Sequence, residues 1–274
     1  MNEYRPGRFQ FLPLVIKNLL IINGLVWLLE ITLLKFGYDL SNLFALHYWG
    51  SDLFKPYQFV THLFMHDPSN ILHLAFNMFT LWMFGATLEN LWGPKRFLVF
   101  YMVCGVGAAL CHMGVLTYEN IHLTRDAHAF YTDPSFSNFV VLDNRYHLSE
   151  MFNLEGLKAG LSENPPNEKA IEIAKLAVHE FISKYRNGAT LGASGAVYGI
   201  LFAFGYLFAN TYIYLYFMIP VKAKYFVGFL IVMELWAGLQ NSAGDNVAHF
   251  AHLGGALFAY LLLKKWSRNR TNFY

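Results

Sequence analysis

Charged residues are scarce in this chain. Asp, Glu, Lys and Arg make up 14% of 274 residues, whereas a soluble globular domain carries about a quarter. That shortage excludes an ordinary water-exposed enzyme. Cysteine is nearly absent as well. Cys104 and Cys111 lie seven residues apart in one apolar run, so about 10 Å of helical rise separates them, beyond the reach of a disulfide. A disulfide-stapled scaffold is thereby excluded, and both thiols read as small packing residues. The H-E-x-x-H signature is missing, which removes the commonest zinc-hydrolase pattern. No internal repeat, low-complexity tract or short leader with a small-residue cleavage site is evident, so the first apolar run reads as an uncleaved span. The net charge of +2 says nothing about nucleic acid, because the basic residues are distributed by topology, and no nucleic-acid partner is expected.

What is present is hydrophobic: 55% of the residues, with 18% aromatic. The apolar residues gather in blocks at about 12–36, 71–92, 97–117, 191–219, 225–240 and 247–263. Most approach or exceed the roughly 18–20 residues that a helix needs to cross a bilayer. The fifth is the shortest and contains Glu234. The expected fold is all-α, a polytopic membrane protein of six transmembrane helices. Arg5, Arg8 and Lys17, then Lys95 and Arg96, Lys222 and Lys224, and Lys264, Lys265, Arg268 and Arg270 fall on one face of such a topology. The positive-inside rule makes that face cytoplasmic. An integral protein of the plasma or inner membrane is expected, multi-pass, with both termini cytoplasmic.

Residues 118–189 break this rhythm. They hold Asp133-Pro134, Pro165-Pro166 and a mixed-charge stretch from Glu168 to Tyr185. In that stretch Ile171, Ile173, Leu176, Val178, Phe181 and Ile182 recur with roughly helical spacing. The segment reads as a soluble extracytoplasmic insertion between helices 3 and 4, within a single membrane domain covering 1–274. It either caps the outer surface or filters substrates above a site. The loop from Gly37 to Asn70 is rich in Tyr, Trp and Phe, which suits a partly embedded loop at the membrane interface.

The polar residues inside the apolar blocks carry the functional signal, because such groups are expensive in hydrocarbon and normally face an internal cavity. His73 and Asn77 lie in the first two turns of the second block, Ser194 opens the fourth, and His252 lies about five residues into the sixth. These three blocks run in one direction, so at about 1.5 Å per residue the four side chains share the outer 10 Å or so of the helices. A serine hydroxyl becomes a nucleophile when a base within hydrogen-bond reach takes its proton, and histidine is the usual base. His73 and Asn77, at i and i+4, share a helix face and can both donate to an oxyanion. The backbone N–H groups of Ala193 and Ser194 add donors at the positive end of a helix. Gly195 with Gly199, and Gly255 with Ala259, form small-x-x-x-small surfaces that let membrane helices approach closely. Tyr198, one turn after Ser194, can pack against the His252 imidazole. No third acid is evident, and Ser194 with His252 suffices as a dyad. The site opens toward the extracytoplasmic side.

Three motifs carry a resemblance to a known family: His73-Leu-Ala-Phe-Asn77, Gly192-Ala-Ser194-Gly195-Ala-Val-Tyr198-Gly199, and Ala251-His252-Leu-Gly-Gly255, with Gly85 and Glu89 also fitting. The chain resembles the rhomboid intramembrane serine proteases over nearly all of its membrane portion. The resemblance implies an endopeptidase that cuts transmembrane proteins. Ser194 would be the nucleophile, His252 the base, and His73 and Asn77 the oxyanion donors, with no cofactor. It further implies a lateral gate near 223–240 and a cap at 241–247. Two departures stand out. Many members carry a Trp-Arg pair in the first loop where this chain has Tyr57-Gln58, and the 118–189 insertion exceeds the compact family core.

Other histidines compete for these roles. His249 lies one turn before His252 and is the rival base. His62 and His66, at i and i+4, offer a metal-ligand spacing but more naturally hydrogen-bond around the site. No metal is expected. His112 reads as a packed, hydrogen-bonded residue, and Glu30 and Glu234 as partners of internal donors or as residues that tune gating. A catalytically inactive rhomboid-like binding factor and a small transporter are the other function classes. The first usually lacks the serine or the histidine. The second calls for helices broken at the midplane or inverted repeats. Lipid and transmembrane substrates are the expected partners.

Overall fold

The computed structural model describes residues 9–215, 218–239 and 246–268. The first helix, α1 (Leu14–Lys35), follows Pro13 and has no side-chain cap of its own. Its cap comes from elsewhere. The N–H groups of Val15 and Ile16 each donate to one carboxylate oxygen of Glu89, both at 2.8 Å, placing negative charge where the helix dipole is positive. Glu89 lies near the end of α4 (Ile71–Trp92), which Asn70 caps by accepting from the N–H groups of Leu72 and His73. Between α1 and α4 the chain forms a folded loop: α2 (Ser41–Phe44), strand β1 (Leu46–His47), α3 (Gln58–Thr61) and a 3-10 turn at His62–Phe64. Gln58 is fully buried there. Its oxygen accepts from the N–H groups of His47 and Lys55, and its amide donates to the carbonyls of Leu43 and Leu53. One neutral side chain thus ties four points of the loop together.

Gly93 turns the chain at φ +78, and Pro94 opens α5 (Pro94–Thr132), a helix of 39 residues. The apolar block expected to end near 117 therefore continues as helix for about four more turns. Composition changes there, yet Gly114 is the last glycine before the next breaker, Pro134. Beyond it, α6 (Phe136–Tyr146), α7 (Glu155–Leu161) and α8 (Glu168–Arg186) fold against the end of α5. They share a core of their own that includes Leu123, Phe130, Phe139, Leu142, Leu161, Val178 and Phe181. On α8 the inward stripe is Ala170, Ala174, Val178 and Phe181. Ile173 and Leu176, expected on the apolar face, are exposed. Asp143 fixes this block. It accepts from Ser149 N–H at 2.7 Å and pairs with Lys158 Nζ at 2.5 Å.

Strand β2 (Ala189–Thr190) returns the chain antiparallel to β1, pairing Leu46 with Thr190 and His47 with Ala189. It leads into α9 (Ser194–Leu207), whose residues are mostly buried among α4, α5, α10 and α11. The block expected to span 191–219 is thus a 14-residue helix, followed by a hairpin of β3 (Tyr212–Leu215) and β4 (Ile219–Lys222). The chain is mostly helical, as expected, and these two small ladders are the additions to it among the described residues. At about 1.5 Å per residue α9 covers roughly 21 Å, and it needs no more: its first turn starts inside the protein, where irregular backbone is tolerated because protein surrounds it. Helices α10 (Ala223–Leu239) and α11 (Asn246–Arg268) complete the bundle.

Among the described residues, α1, α4 and α5 are long and apolar enough to cross a membrane. Large apolar side chains such as Ile21 and Leu25 on α1, Phe76 on α4, and Phe229, Val232 and Trp236 on α10 face outward, as lipid-facing surfaces do. Cys104 and Cys111 are free thiols that pack against Gly199 and Gly254. The cap expected at 241–247 lies, apart from the first turn of α11, outside the described residues, as do Arg5, Arg8 and Arg270.

Two outcomes follow from these anchors. Glu89→Ala removes both acceptors from the start of α1 and should lower stability in detergent by about 1–3 kcal/mol, with Glu89→Gln between it and wild type; thermal melting measures this. For Asp143, burial alone would raise the carboxyl, but the Lys158 ammonium and the Ser149 donors outweigh it and hold it below the usual range. Its contribution is therefore complete above the unfolded value of about 3.9 and is lost as pH falls through the lower native value. Wild type should lose melting temperature steeply below about pH 4, whereas Asp143→Asn should start lower at pH 7 and fall less on acidification.

Candidate functional site

The site forms where β2 turns into α9. Gly192 adopts φ +124, in the left-handed region open to glycine, and its N–H donates to the carbonyl of His62 at 3.0 Å. Ala193 caps α9 with its backbone alone and is fully buried. The N–H groups of Ala193 and Ser194, at the helix start, have no intrahelical acceptor. Ser194 Oγ lies 2.9 Å from His252 Nε2 on α11.

Helix proximity sets that distance. A Cβ on Gly255 would stand 1.9 Å from the carbonyl oxygen of Gly195, so α9 and α11 touch backbone to backbone one residue beyond the serine. Gly195 similarly faces Ala108 Cβ at 2.4 Å, and Gly199 faces Cys104 at 2.7 Å. Ala259 is fully buried. The Tyr198 ring lies flat on the His252 imidazole, with centroids 4.3 Å apart and planes within 9°.

His73 approaches from α4. A Cβ at Gly192 would come within 3.1 Å of His73 Nε2 and 3.8 Å of Ser194 Oγ. The space between imidazole and hydroxyl stays open because residue 192 has no side chain. Asn77, buried one turn along, donates from Nδ2 to the His73 carbonyl at 3.0 Å; its second amide hydrogen remains for another acceptor. His66 lies beside His73, with ring centroids 5.2 Å apart and the planes tilted by 57°. Of the structural hydrogen bonding expected of His62 and His66, His62 supplies its part by bonding the Gln58 carbonyl at 2.8 Å. Burial holds the His62 imidazole far below its ordinary value, at about 4, which keeps it neutral. His112 contacts Thr190 Oγ1 at 2.6 Å.

Sequence reasoning left Glu234 outside the site. The structure sets it, from α10, beneath the imidazoles. Oε1 accepts from the Tyr198 hydroxyl, and Oε2 lies 2.6 Å from His249 Nδ1 and 3.0 Å from His252 Nδ1. The rival base His249 thus faces Glu234. Glu234, His249 and His252 also form the one group among the described residues whose ligand atoms gather closely enough for a metal ion. The signal was a lone carboxylate in an apolar helix, which has to have a partner.

Gly255→Ala tests the helix contact. Its methyl would push α11 off Gly195, which should lower stability by about 1–3 kcal/mol and slow labelling of Ser194 by a serine-directed electrophile at least tenfold. Thermal melting and labelling rate read the two effects separately.

A family model, the Rhomboid domain, matches residues 54–124 and 171–268, more than half of the chain. The unmatched stretch between them lies in the block of α5's end, α6, α7 and the start of α8. The chain is 32% identical over 79 residues to the rhomboid protease GluP of Bacillus subtilis (strain 168), covering 29% of this chain and 14% of that protein. It is 26% identical over 194 residues to rhomboid protein 1, mitochondrial, of Saccharomyces cerevisiae, covering 69% of this chain and 36% of that protein. The alignments thus span well under half of either relative. No solved structure matches. The helical bundle, its outward apolar faces and the family match over its motif-bearing helices lead to one conclusion: this chain is an integral membrane protein of the rhomboid family.

Proposed function

We propose that this protein is an intramembrane serine endopeptidase acting on transmembrane proteins. The observation that carries the reading is the 2.9 Å contact of Ser194 Oγ with His252 Nε2 beside the open space at Gly192. In the proposed reaction Ser194 Oγ attacks the scissile carbonyl carbon while its proton passes to His252 Nε2. The resulting oxyanion is met by the N–H groups of Ala193 and Ser194, by His73 and by the second hydrogen of Asn77. Collapse breaks the C–N bond, and His252 returns the proton to the leaving amine. Water then attacks the acyl-serine, giving one proton to His252, which passes it back to Oγ as the acid departs.

In this reading α1, α4, α5, α9, α10 and α11 are the six membrane helices of one domain, with 118–189 as its extracytoplasmic insertion. The basic residues at Lys17, Lys95, Arg96, Lys222, Lys224, Lys264 and Lys265 face the cytoplasm with both termini, and the site opens on the opposite side of a plasma or inner membrane. No cofactor or metal takes part.

A catalytically inactive binding factor is the second reading. The presence of both serine and imidazole, within hydrogen-bond reach of each other, favours the enzyme. Purified protein incubated with a panel of single-span substrates decides between them. Wild type should cleave, and Ser194→Ala and His252→Ala should each reduce turnover to background. The double variant should be no worse than either single one, as for groups that act as a unit. Binding without cleavage by wild type would select the inactive factor.

A further inference from the structure

Helix α10 exposes Phe229, Val232 and Trp236 on its outer face and turns Glu234 inward, with its side chain 11% exposed. An inward carboxylate in an apolar helix is expensive unless it is matched by donors. Two hydrogen-bond it, the Tyr198 hydroxyl and His249 Nδ1, and His252 Nδ1 stands 3.0 Å away.

The His252 ring decides what this means. A neutral imidazole has one nitrogen that donates and one that accepts. For Nε2 to receive the Ser194 proton, the ring hydrogen has to sit on Nδ1. That atom is shut off from solvent and makes no well-aligned hydrogen bond, yet Glu234 Oε2 is 3.0 Å away. The Tyr198 ring, stacked flat on the imidazole, holds the plane of the ring. The other titratable groups facing His252 are His249 on its own helix, Tyr198 on α9 and His73 from α4.

We propose that Glu234 is the positioning residue of this site. It holds His252 in the tautomer that leaves Nε2 free to accept, and it stabilises the imidazolium formed when Ser194 attacks, so that Ser194, His252 and Glu234 act as a triad. This rests on the serine-protease reading above. Glu234 takes no proton: the proton leaving Oγ stays on Nε2, and the carboxylate balances the charge. A cation held by Glu234, His249 and His252 is the competing use of the same atoms. Ligands around one tetrahedral zinc stand about 3.3 Å apart, from bond lengths of about 2.0–2.1 Å. The 2.6 Å between Glu234 Oε2 and His249 Nδ1 is shorter and suits a hydrogen bond.

The test compares wild type, Ser194→Ala, Glu234→Gln, Glu234→Asp and His249→Ala on one single-span substrate in one detergent. Melting temperature and labelling by a fluorophosphonate are measured alongside. Glu234→Gln is isosteric and should lower kcat about a hundredfold or more with KM unchanged, by analogy with the acid of other triads. Glu234→Asp should recover at least tenfold over Gln, and His249→Ala should keep most of the wild-type kcat. Wild-type kcat in Glu234→Gln overturns the proposal, as does an equal loss in His249→Ala, which would make Glu234 a tie between helices. If Glu234→Gln does not fold, Glu234→Asp decides: a lowered kcat at constant KM supports the proposal and wild-type kcat overturns it. Loss of wild-type cleavage on adding a chelator, restored by zinc, overturns it in favour of the cation. Wild-type protein that neither cleaves nor labels removes the protease reading and the proposal with it, whereas cleavage that depends on Ser194 but not on Glu234 removes the proposal alone.

Discussion

The backbone contact between α9 and α11 governs this molecule. Gly195 and Gly255 meet with no room for a methyl group between them, and the serine and histidine stand one residue before and three residues before those glycines. Close approach in a membrane interior rests on packing and on hydrogen bonds between helices, since lipid tails are as apolar as the side chains they would replace. The same rule extends outward. Gly195 also admits Ala108, and Gly199 admits Cys104, so α5 fits against α9 through a line of small residues. Large aromatic rings then fill the cytoplasmic-directed half of the proposed topology, where Phe84, Phe204 and Phe208 pack in succession.

Several parts of the fold were legible in the sequence, and the failures have physical causes. The first two spans were readable because each ends at a strong breaker, Gly37 at φ +85 and Gly93 at φ +78. Apolar length failed for α9, since a run of hydrophobic residues cannot distinguish a buried helix from a helix followed by a strand pair. The alternation of Tyr212 and Tyr214 with Ile213 and Leu215, and Pro220 on the return strand, were the finer marks of the hairpin. Composition failed for α5 in the opposite way. Polar residues after 117 mark a change of surroundings, whereas a helix ends where its backbone is broken, here at Asp133-Pro134.

At the site, the nearness of Ser194 and His252 follows from helix polarity and from small residues, both visible in the chain. The Gln58 anchor and Glu234 were harder to read. Gln58 stands where many relatives of the resemblance carry an arginine, and its neutral amide makes four bonds to main-chain groups that sequence spacing cannot reveal. Glu234 is 18 residues before His252 and separated from it by a helix end, so their contact depends on how α10 leans on α11. Asn77 shows the converse. Its spacing placed it with His73, and its amide is partly spent on the helix's own backbone.

The short ladder of β1 and β2 has a wider consequence. Everything added between α5 and α9 re-enters the bundle through Ala189 and Thr190, and these two residues are stitched to Leu46 and His47. Ser51 and His47 bond to Asn187 just before them, and Gly192 bonds to His62 just after. The serine-bearing turn is therefore hung from the folded loop beside it rather than from the 70-residue block that precedes it in the chain. The seam fixes the position of this turn by bonds to the loop on both sides of it. A fold built this way can carry a large, changeable attachment directly upstream of its most sensitive turn.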